Sequence, residues 1–211
     1  MTQRDADSPI VWVVDDDEAV RGALELLFES VSMPVASFAS AQEFLERYDA
    51  KRPGCLVLDL RMPGMSGLEL QEELNRRGSD LGIVFVTGHG DVPVAVSAMR
   101  AGAVDFLQKP FRDEDLLSRV RRAMERGVTA HDEHAQRDQV RERLARLTPR
   151  EREVMRHVIS GKPNKAVAMD LGVSERTVEI HRARVMQKMK AGSLAELVRL
   201  ALAAGETKIV D

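Results

Sequence analysis

The chain has 211 residues, a length that suits one large domain or two small ones. Hydrophobic residues make up 44% and aromatic residues only 4%, so any core must be mainly aliphatic. A single cysteine excludes an internal disulfide and a cysteine-built zinc cluster, and no apolar run approaches the roughly 20 residues that span a membrane. Because residues 1–9 are acidic and polar, unlike a signal peptide, we expect a soluble cytoplasmic protein.

The charge changes sign along the chain. The formal net charge is −3, yet residues 1–126 contain 15 Lys and Arg against 22 Asp and Glu, whereas residues 127–211 contain 16 against 12. A change of sign between two halves indicates two domains with different partners. We therefore expect an acidic domain over 8–126 and a basic domain over 148–205.

The segment between these domains, 127–147, is expected to be a linker that is only partly helical. Residues 127–138 form a polar run without periodic apolar residues. Val140, Leu144 and Leu147 are spaced like one helix face, which predicts a short helix over 139–147.

The first half alternates short apolar runs with amphipathic segments. The apolar runs are 10–14, 34–38, 55–58, 83–86 and 104–107. Four of them lack polar alternation, as is typical of strands buried on both faces, and the more polar second run is expected at a sheet edge.

Helix signals lie between these runs. Ser40 with Glu43, and Ser66 with Glu69, have the spacing of capping boxes, and the apolar residues of 95–99 are spaced like one helix face. Five strands that alternate with five helices predict an α/β fold with a parallel, doubly wound sheet.

Polar side chains follow the predicted strands where each strand ends. The first strand is followed by Asp15 and Asp16, the third by Asp59, the fourth by Thr87 and the fifth by Lys109. In doubly wound sheets the functional crevice lies at these carboxyl ends. Clustered carboxylates favour a hard divalent cation such as Mg²⁺ or Mn²⁺, and one of them can act as a nucleophile that forms an aspartyl phosphate. The sequence therefore predicts a phosphoryl-transfer site, at which a lysine and a hydroxyl contact phosphoryl oxygens.

The residues around these positions resemble the receiver domain of two-component response regulators. The matching segments are 14–16, 58–67, 87–88 and 109–111, within about residues 8–126. The resemblance implies a flavodoxin-like fold and a phosphoryl group accepted on Asp59 from a sensor histidine kinase. It also implies that the only catalysis is self-phosphorylation and autodephosphorylation at this residue.

The same resemblance implies the roles of the other pocket residues. A divalent cation is held by two carboxylates and a main-chain carbonyl, and a hydroxyl and an aromatic ring form a switch pair. The residues are Asp16, Asp59 and the Arg61 carbonyl for the metal, with Asp15 acting through water; Thr87 and Phe106 for the switch; and Lys109 and Thr87 for the phosphoryl group. His89 either modulates dephosphorylation or is a solvated loop histidine.

The second half reads as an all-α domain of four short helices. Thr148, Ser174 and Ser193 are predicted to begin helices as N-cap residues, and Gly161 and Gly172 to end them. Thr148 and Glu151 have the spacing of a capping box. The short connection between the second and third of these helices suggests a helix-turn-helix.

The third helix of this half has two different faces. Val178, Val185 and Met189 share the side that we expect in the core, and the opposite side carries small and polar residues fringed by cations. Residues 144–190 contain 11 Lys and Arg against 5 Asp and Glu. Such a face suits the major groove of DNA, and cations near it would supply phosphate contacts.

Segments 147–154, 164–168 and 174–181 resemble the LuxR/NarL-type DNA-binding domain, which covers about residues 143–205. The resemblance implies that Glu179, Ile180 and Ala183 face the bases. The full set of positions implied for DNA contact is Lys165, Arg176, Thr177, Glu179, Ile180, Arg182, Ala183, Arg184 and Lys188.

A receiver followed by this domain makes a response-regulator transcription factor. Residues 87–91 and 103–106 particularly resemble the FixJ/StyR/TodT-like subfamily. The resemblance implies that phosphorylation of Asp59 changes the surface formed by residues 92–112, which then dimerises. It further implies binding to double-stranded promoter DNA, mostly as an activator that contacts RNA polymerase.

Three other functions fit parts of the sequence. A Mg²⁺-dependent phosphohydrolase of the haloacid-dehalogenase type would use a D-x-D nucleophile, which Asp15 and Asp17 offer, but Asp59 and Lys109 fit a receiver better. A DNA-binding protein that acts without phosphorylation conflicts with the complete acidic pocket. An RNA-binding antiterminator conflicts with the groove-shaped third helix.

Overall fold

The computed structural model describes residues 8–88 and 92–206, and the chain divides into two compact units between Asp132 and Glu133. His89, a candidate from the sequence, lies outside the described residues. Within the described ranges, no helix is long and apolar enough to cross a membrane.

A five-stranded parallel sheet in the order β2-β1-β3-β4-β5 forms the centre of the first unit. The strands are β1 (Ile10–Val14), β2 (Val35–Phe38), β3 (Gly54–Leu58), β4 (Gly82–Thr87) and β5 (Asp105–Gln108). The strands β1, β3 and β4 are buried along their whole length, whereas most of β2 is half-buried at the sheet edge. The predicted doubly wound sheet and its polar edge strand are confirmed. The prediction that the fifth strand is buried on both faces is wrong, because β5 is the other edge strand and only Leu107 in it is buried.

Five helices belong to or begin in this unit. They are α1 (Glu18–Ser30), α2 (Ala41–Arg47), α3 (Gly67–Arg76), α4 (Val92–Arg100) and α5 (Asp113–Ala145). The side chains of Ser40 and Ser66 cap α2 and α3 as predicted, and the capping box of Ser66 with Glu69 is complete.

The single cysteine, Cys55, lies within β3. It is fully buried, and this burial raises the pKa of its thiol to about 12. The thiol is therefore un-ionised at neutral pH and acts as a small apolar side chain of the core.

The helix α4 exposes its apolar side chains to solvent. Val92 is 74% exposed, Val96 45% and Met99 44%, whereas Ala98 is buried. The spacing predicted one apolar helix face, and the structure shows that much of this face points away from the core. Contiguous exposed apolar side chains mark an interaction surface more often than a packing defect.

The segment 127–147 differs from its predicted structure. The helix α5 continues without a break to Ala145, so the linker that was expected to be partly helical is helical over nearly all its length. Side chains in it bond one turn back, as Arg137 does to the Glu133 carbonyl at 3.2 Å. A helix with a solvated polar surface shows no apolar period, which is why the periodicity argument fails here.

Gly127 allows α5 to pass close to the sheet. A Cβ atom added at Gly127 would lie 2.1 Å from the carbonyl oxygen of Gly54, and one added at Gly82 would lie 2.1 Å from that of Ala123. Backbone therefore meets backbone at the amino ends of β3 and β4. Gly127, which in the sequence suggests the end of a helix, is instead required for the packing of α5 against the sheet.

The second unit contains the four predicted helices, which are confirmed. They are α6 (Pro149–Ile159), α7 (Asn164–Leu171), α8 (Glu175–Met189) and α9 (Leu194–Ala203). Their core is aliphatic and includes Val154, Val178 and Leu197. Val140 and Leu144, near the end of α5, are buried in the same core.

Substitution of Gly127 by alanine should destabilise the first unit by about 1–3 kcal/mol, as overpacking does. Alanine would otherwise favour a helix by about 1 kcal/mol over glycine. Gly22→Ala in α1 is the matched control, because a Cβ there meets nothing within 4 Å and should stabilise the unit. Urea unfolding followed by the fluorescence of Trp12, the single tryptophan, measures both variants. A stabilised Gly127→Ala protein would contradict the close backbone contact.

Candidate functional site

An acidic pocket lies at the carboxyl ends of β1, β3 and β5. The Nζ atom of Lys109 lies 2.7 Å from Asp15 Oδ2 and 3.4 Å from Asp59 Oδ1. Both carboxylates are buried, with Asp15 3% and Asp59 8% exposed. The peptide bond between Lys109 and Pro110 is cis. Asp15, Asp59 and Lys109, which the sequence places at strand ends, are thus in direct contact.

Backbone N–H groups hold the two carboxylates from the other side. The N–H of Arg61 donates to Asp59 Oδ2 at 2.7 Å, and the N–H of Asp17 donates to Asp15 Oδ1 at 3.0 Å. In each carboxylate, therefore, one oxygen accepts a hydrogen bond from a main-chain N–H and the other contacts the ammonium group of Lys109. This arrangement fixes the orientation of both groups.

The pKa of Asp59 is raised above its usual range. Burial is the main cause, and the negative charge of Asp15 adds to it. The hydrogen bond from the Arg61 N–H and the charge of Lys109 act in the opposite sense without cancelling the effect. A buried carboxylate in this state gains more from an additional cation than a solvated one does.

The other predicted pocket residues surround this centre with different exposure. Asp16 is exposed, whereas Thr87 is buried at the end of β4 and its carbonyl accepts from the Lys109 N–H at 2.8 Å. Phe106 is half-buried in β5, and its ring centroid lies 6.4 Å from that of Phe85. The predicted switch pair thus combines a buried hydroxyl residue with a half-buried aromatic ring.

The predicted metal ligands are few and are oxygen donors. Across residues 8–88 and 92–206, no group of three or more His, Cys, Asp or Glu side chains is arranged as a metal site. The predicted set contains two carboxylates, of Asp16 and Asp59, together with the Arg61 carbonyl. A sparse set of hard oxygen donors suits Mg²⁺, which keeps several of its waters in proteins.

Replacement of Asp59 by asparagine should raise the midpoint of thermal unfolding of the first unit at pH 7 in EDTA. A raised pKa means that the folded state binds the proton more tightly, so ionisation of Asp59 lowers stability as the pH rises past its usual pKa. The amide removes that charge and keeps an acceptor for the Arg61 N–H. Exposed Asp16→Asn is the control, with a smaller change expected. A lower midpoint for Asp59→Asn would refute this account.

The helix α8 presents a polar and small-residue face to solvent. Val178, Val185 and Met189 are buried on its other side, as the helical spacing predicts. Of the predicted DNA-contact positions, the exposed ones are Lys165, Arg176, Glu179, Ile180, Ala183 and Arg184. Thr177 and Arg182 are half-buried, and Arg182 donates to Asn164 Oδ1 at 3.2 Å.

Lys188 differs from these positions because its ammonium group bonds within the protein. Its Nζ donates to Glu151 Oε2 at 2.6 Å and to the Arg146 carbonyl at 3.1 Å. The sequence identified Glu151 only as the far member of a capping box with Thr148. Its burial and its ion pair were missed, because a contact across 37 residues leaves no periodic signal.

The first unit has the architecture and the acidic pocket of a receiver domain. The second unit has the helical architecture of a helix-turn-helix DNA-binding domain. Two family models match accordingly. The response regulator receiver domain matches residues 11–121, and the luxR family of bacterial regulatory proteins matches residues 145–201.

Relatives of similar length share both domains. FixJ from Azorhizobium caulinodans is 50% identical over 195 residues, which cover 92% of this chain and 92% of FixJ. TodT from Pseudomonas putida is 42% identical over 191 residues, or 90% of this chain and 84% of TodT. A solved structure of the response regulator StyR has a TM-score of 0.82 at 44% identity and covers 92% of this chain and 98% of that one.

The chain belongs to the two-component response-regulator family, in the LuxR/NarL class and the FixJ/StyR/TodT-like subfamily. It is a transcription regulator with a receiver and a LuxR-type DNA-binding domain, and not a classical enzyme. The family named from the sequence motifs is confirmed.

Proposed function

We propose that the chain is switched on when a sensor histidine kinase transfers a phosphoryl group to Asp59. The phosphorylated protein then dimerises through its receiver, binds promoter DNA and activates transcription by contact with RNA polymerase. The observation that carries the proposal is the fixed orientation of the Asp59 carboxylate. One of its oxygens accepts from the Arg61 N–H, and the other lies 3.4 Å from Lys109 Nζ.

The chemistry of the first step follows from these contacts. Asp59 Oδ1 has the longer of the two contacts and is the oxygen available to attack phosphorus, while the bond from phosphorus to the kinase histidine nitrogen breaks. Lys109 places a positive charge where a phosphoryl oxygen would lie, and Thr87 offers a hydroxyl donor. Mg²⁺, held by Asp16, Asp59 and the Arg61 carbonyl with Asp15 acting through water, would neutralise phosphoryl charge when bound.

The response to phosphorylation is proposed to pass from the pocket to α4 and β5. A phosphoryl group brings a charge of about −1.5 to −2 and new acceptor oxygens, toward which the Thr87 hydroxyl would turn. Phe106 would then move inward from its half-buried position. This movement would change the surface over residues 92–112, which already exposes the apolar side chains of α4.

Binding to DNA is proposed to use the exposed face of α8 in the major groove. Glu179, Ile180 and Ala183 would face the bases, and Glu179 could accept from a cytosine amine. The proposed phosphate and flanking contacts are Lys165, Arg176, Thr177, Arg182 and Arg184. One such helix reads a half-site, so a dimer that docks two helices reads a full operator with greater discrimination.

A phosphohydrolase is disfavoured by the position of Asp17, the second acid of its D-x-D pattern. The Asp17 side chain caps α1 and accepts from the Ala19 N–H at 2.8 Å. Asp15, which would have to be the nucleophile, has both oxygens in close hydrogen bonds, with Lys109 Nζ at 2.7 Å and the Asp17 N–H at 3.0 Å, whereas Asp59 Oδ1 has only the 3.4 Å contact with Lys109. No turnover of a small phosphate ester is therefore expected.

The direct test of the proposal compares the wild type with Asp59→Asn after incubation with acetyl phosphate and Mg²⁺. Mass spectrometry should find one phosphoryl group on the wild type, and light scattering and gel shifts should find a dimer that binds DNA more tightly. Asp59→Asn should show none of these changes, while exposed Asp132→Asn should behave as the wild type. Phosphorylation, dimerisation and DNA binding by Asp59→Asn to the same extent as by the wild type would contradict the proposal.

Introduction of a charge on α4 should separate phosphorylation from dimerisation. Val96→Arg places a cation in the exposed apolar surface and should leave phosphorylation by acetyl phosphate intact while it prevents the dimer. Leu26→Arg is the matched control, because Leu26 is also an exposed apolar residue but lies on α1. Dimerisation by Val96→Arg to the wild-type extent would exclude α4 from the interface.

A further inference from the structure

Hydrogen bonds join the C-terminal turn of α8 to the end of α5 and the beginning of α6. The residues that form these bonds are here called the Lys188 junction: Arg143, Arg146, Glu151, Lys188 and Met189. Lys188 Nζ donates to Glu151 Oε2 at 2.6 Å and to the Arg146 carbonyl at 3.1 Å. Arg143 Nη1 donates to the Met189 carbonyl at 3.3 Å. Three helical elements of the second unit therefore meet at one set of bonds.

The carboxylate in the Lys188 junction, that of Glu151, is buried and charged. The carboxylate is 2% exposed, and its Oε2 also accepts from the Thr148 N–H at 2.8 Å. Burial by itself raises the pKa of Glu151, but the bonds from Lys188 and Thr148 outweigh it and lower the pKa. The group is thus ionised at neutral pH, and a buried carboxylate that loses its cation is left with an uncompensated charge.

The Lys188 side chain is 34% exposed, but two of the three N–H bonds of its ammonium group are used within the protein. The neighbouring Val185 and Met189 are buried, so this end of α8 is part of the core on one side and of the junction on the other. By contrast, Arg184 on the same helix is exposed, and its charge is available to a ligand.

We infer that Lys188 is a positioning residue, which fixes the recognition helix α8 against the α5–α6 connection and does not contact a DNA phosphate. This replaces the role that the sequence implied for it. The inference rests on the LuxR-type DNA-binding domain and is independent of phosphorylation at Asp59. Loss of Lys188 acts on DNA binding through the charge that it leaves on Glu151.

Double-mutant analysis of the full-length chain separates the two roles. The probe is a DNA duplex that the wild type selects from a random-sequence library, with the dissociation constant measured over a range of salt concentrations. A phosphate contact contributes about 0.9 to the slope of log K against log salt concentration, whereas a residue that touches no phosphate contributes nothing.

Lys188→Met should weaken binding at least tenfold, and the second substitution Glu151→Gln should restore most of the affinity with the wild-type salt slope. Arg184→Met is the control: its slope should fall by about 0.9, and Glu151→Gln should not rescue it. A Lys188→Met/Glu151→Gln protein that keeps the affinity loss and the reduced slope of Arg184→Met would overturn the inference.

Chemical labelling of the wild type provides a measurement that needs no variant to fold. Lysine acetylation followed by mass spectrometry should modify exposed Lys165 and lose that modification when the selected duplex is bound. Lys188 should react slowly and to the same extent with and without DNA. Protection of Lys188 by DNA comparable to that of Lys165 would contradict a positioning role.

Discussion

The first unit depends on one ammonium group that is shared by two buried carboxylates. Lys109 Nζ contacts both Asp15 and Asp59, so one charge links the ends of three strands that are far apart in sequence. The pair of acids is incompletely compensated, since the pKa of Asp59 stays raised in spite of Lys109. A pocket in this state favours the arrival of further positive charge and responds strongly to any change in its negative charge.

Much of this arrangement could be predicted from the sequence because it follows from local chemistry. The strands and caps have short-range signals, and a parallel sheet necessarily brings the carboxyl ends of its strands together. That rule predicts that Asp15, Asp59 and Lys109 share one pocket, and in the structure Lys109 contacts both carboxylates. The family motifs then supplied roles that geometry by itself does not distinguish, such as the switch pair of Thr87 and Phe106.

The features that the sequence did not predict depend on contacts between distant segments. The polar stretch after Gly127 is part of a continuous helix. The helix backbone passes close to the sheet because Gly127 leaves room for the Gly54 carbonyl and Gly82 leaves room for the Ala123 carbonyl, and no short-range signal predicts these contacts. The apolar spacing of α4 was visible, but its exposure was not, because period alone does not say which side is covered. In the sequence Lys188 resembles the other cations of α8, because its buried partner, Glu151, lies on another helix 37 residues away.

The burial of Cys55 has a practical consequence for the study of motion in this regulator. Its thiol is fully enclosed in β3 and its pKa is about 12, so it should resist maleimide reagents under native conditions. A cysteine introduced at an exposed position of α4 or α8 would then be the single labelled site without removal of the native one. Spectroscopic probes could in this way follow the two surfaces separately in a chain that is otherwise unchanged.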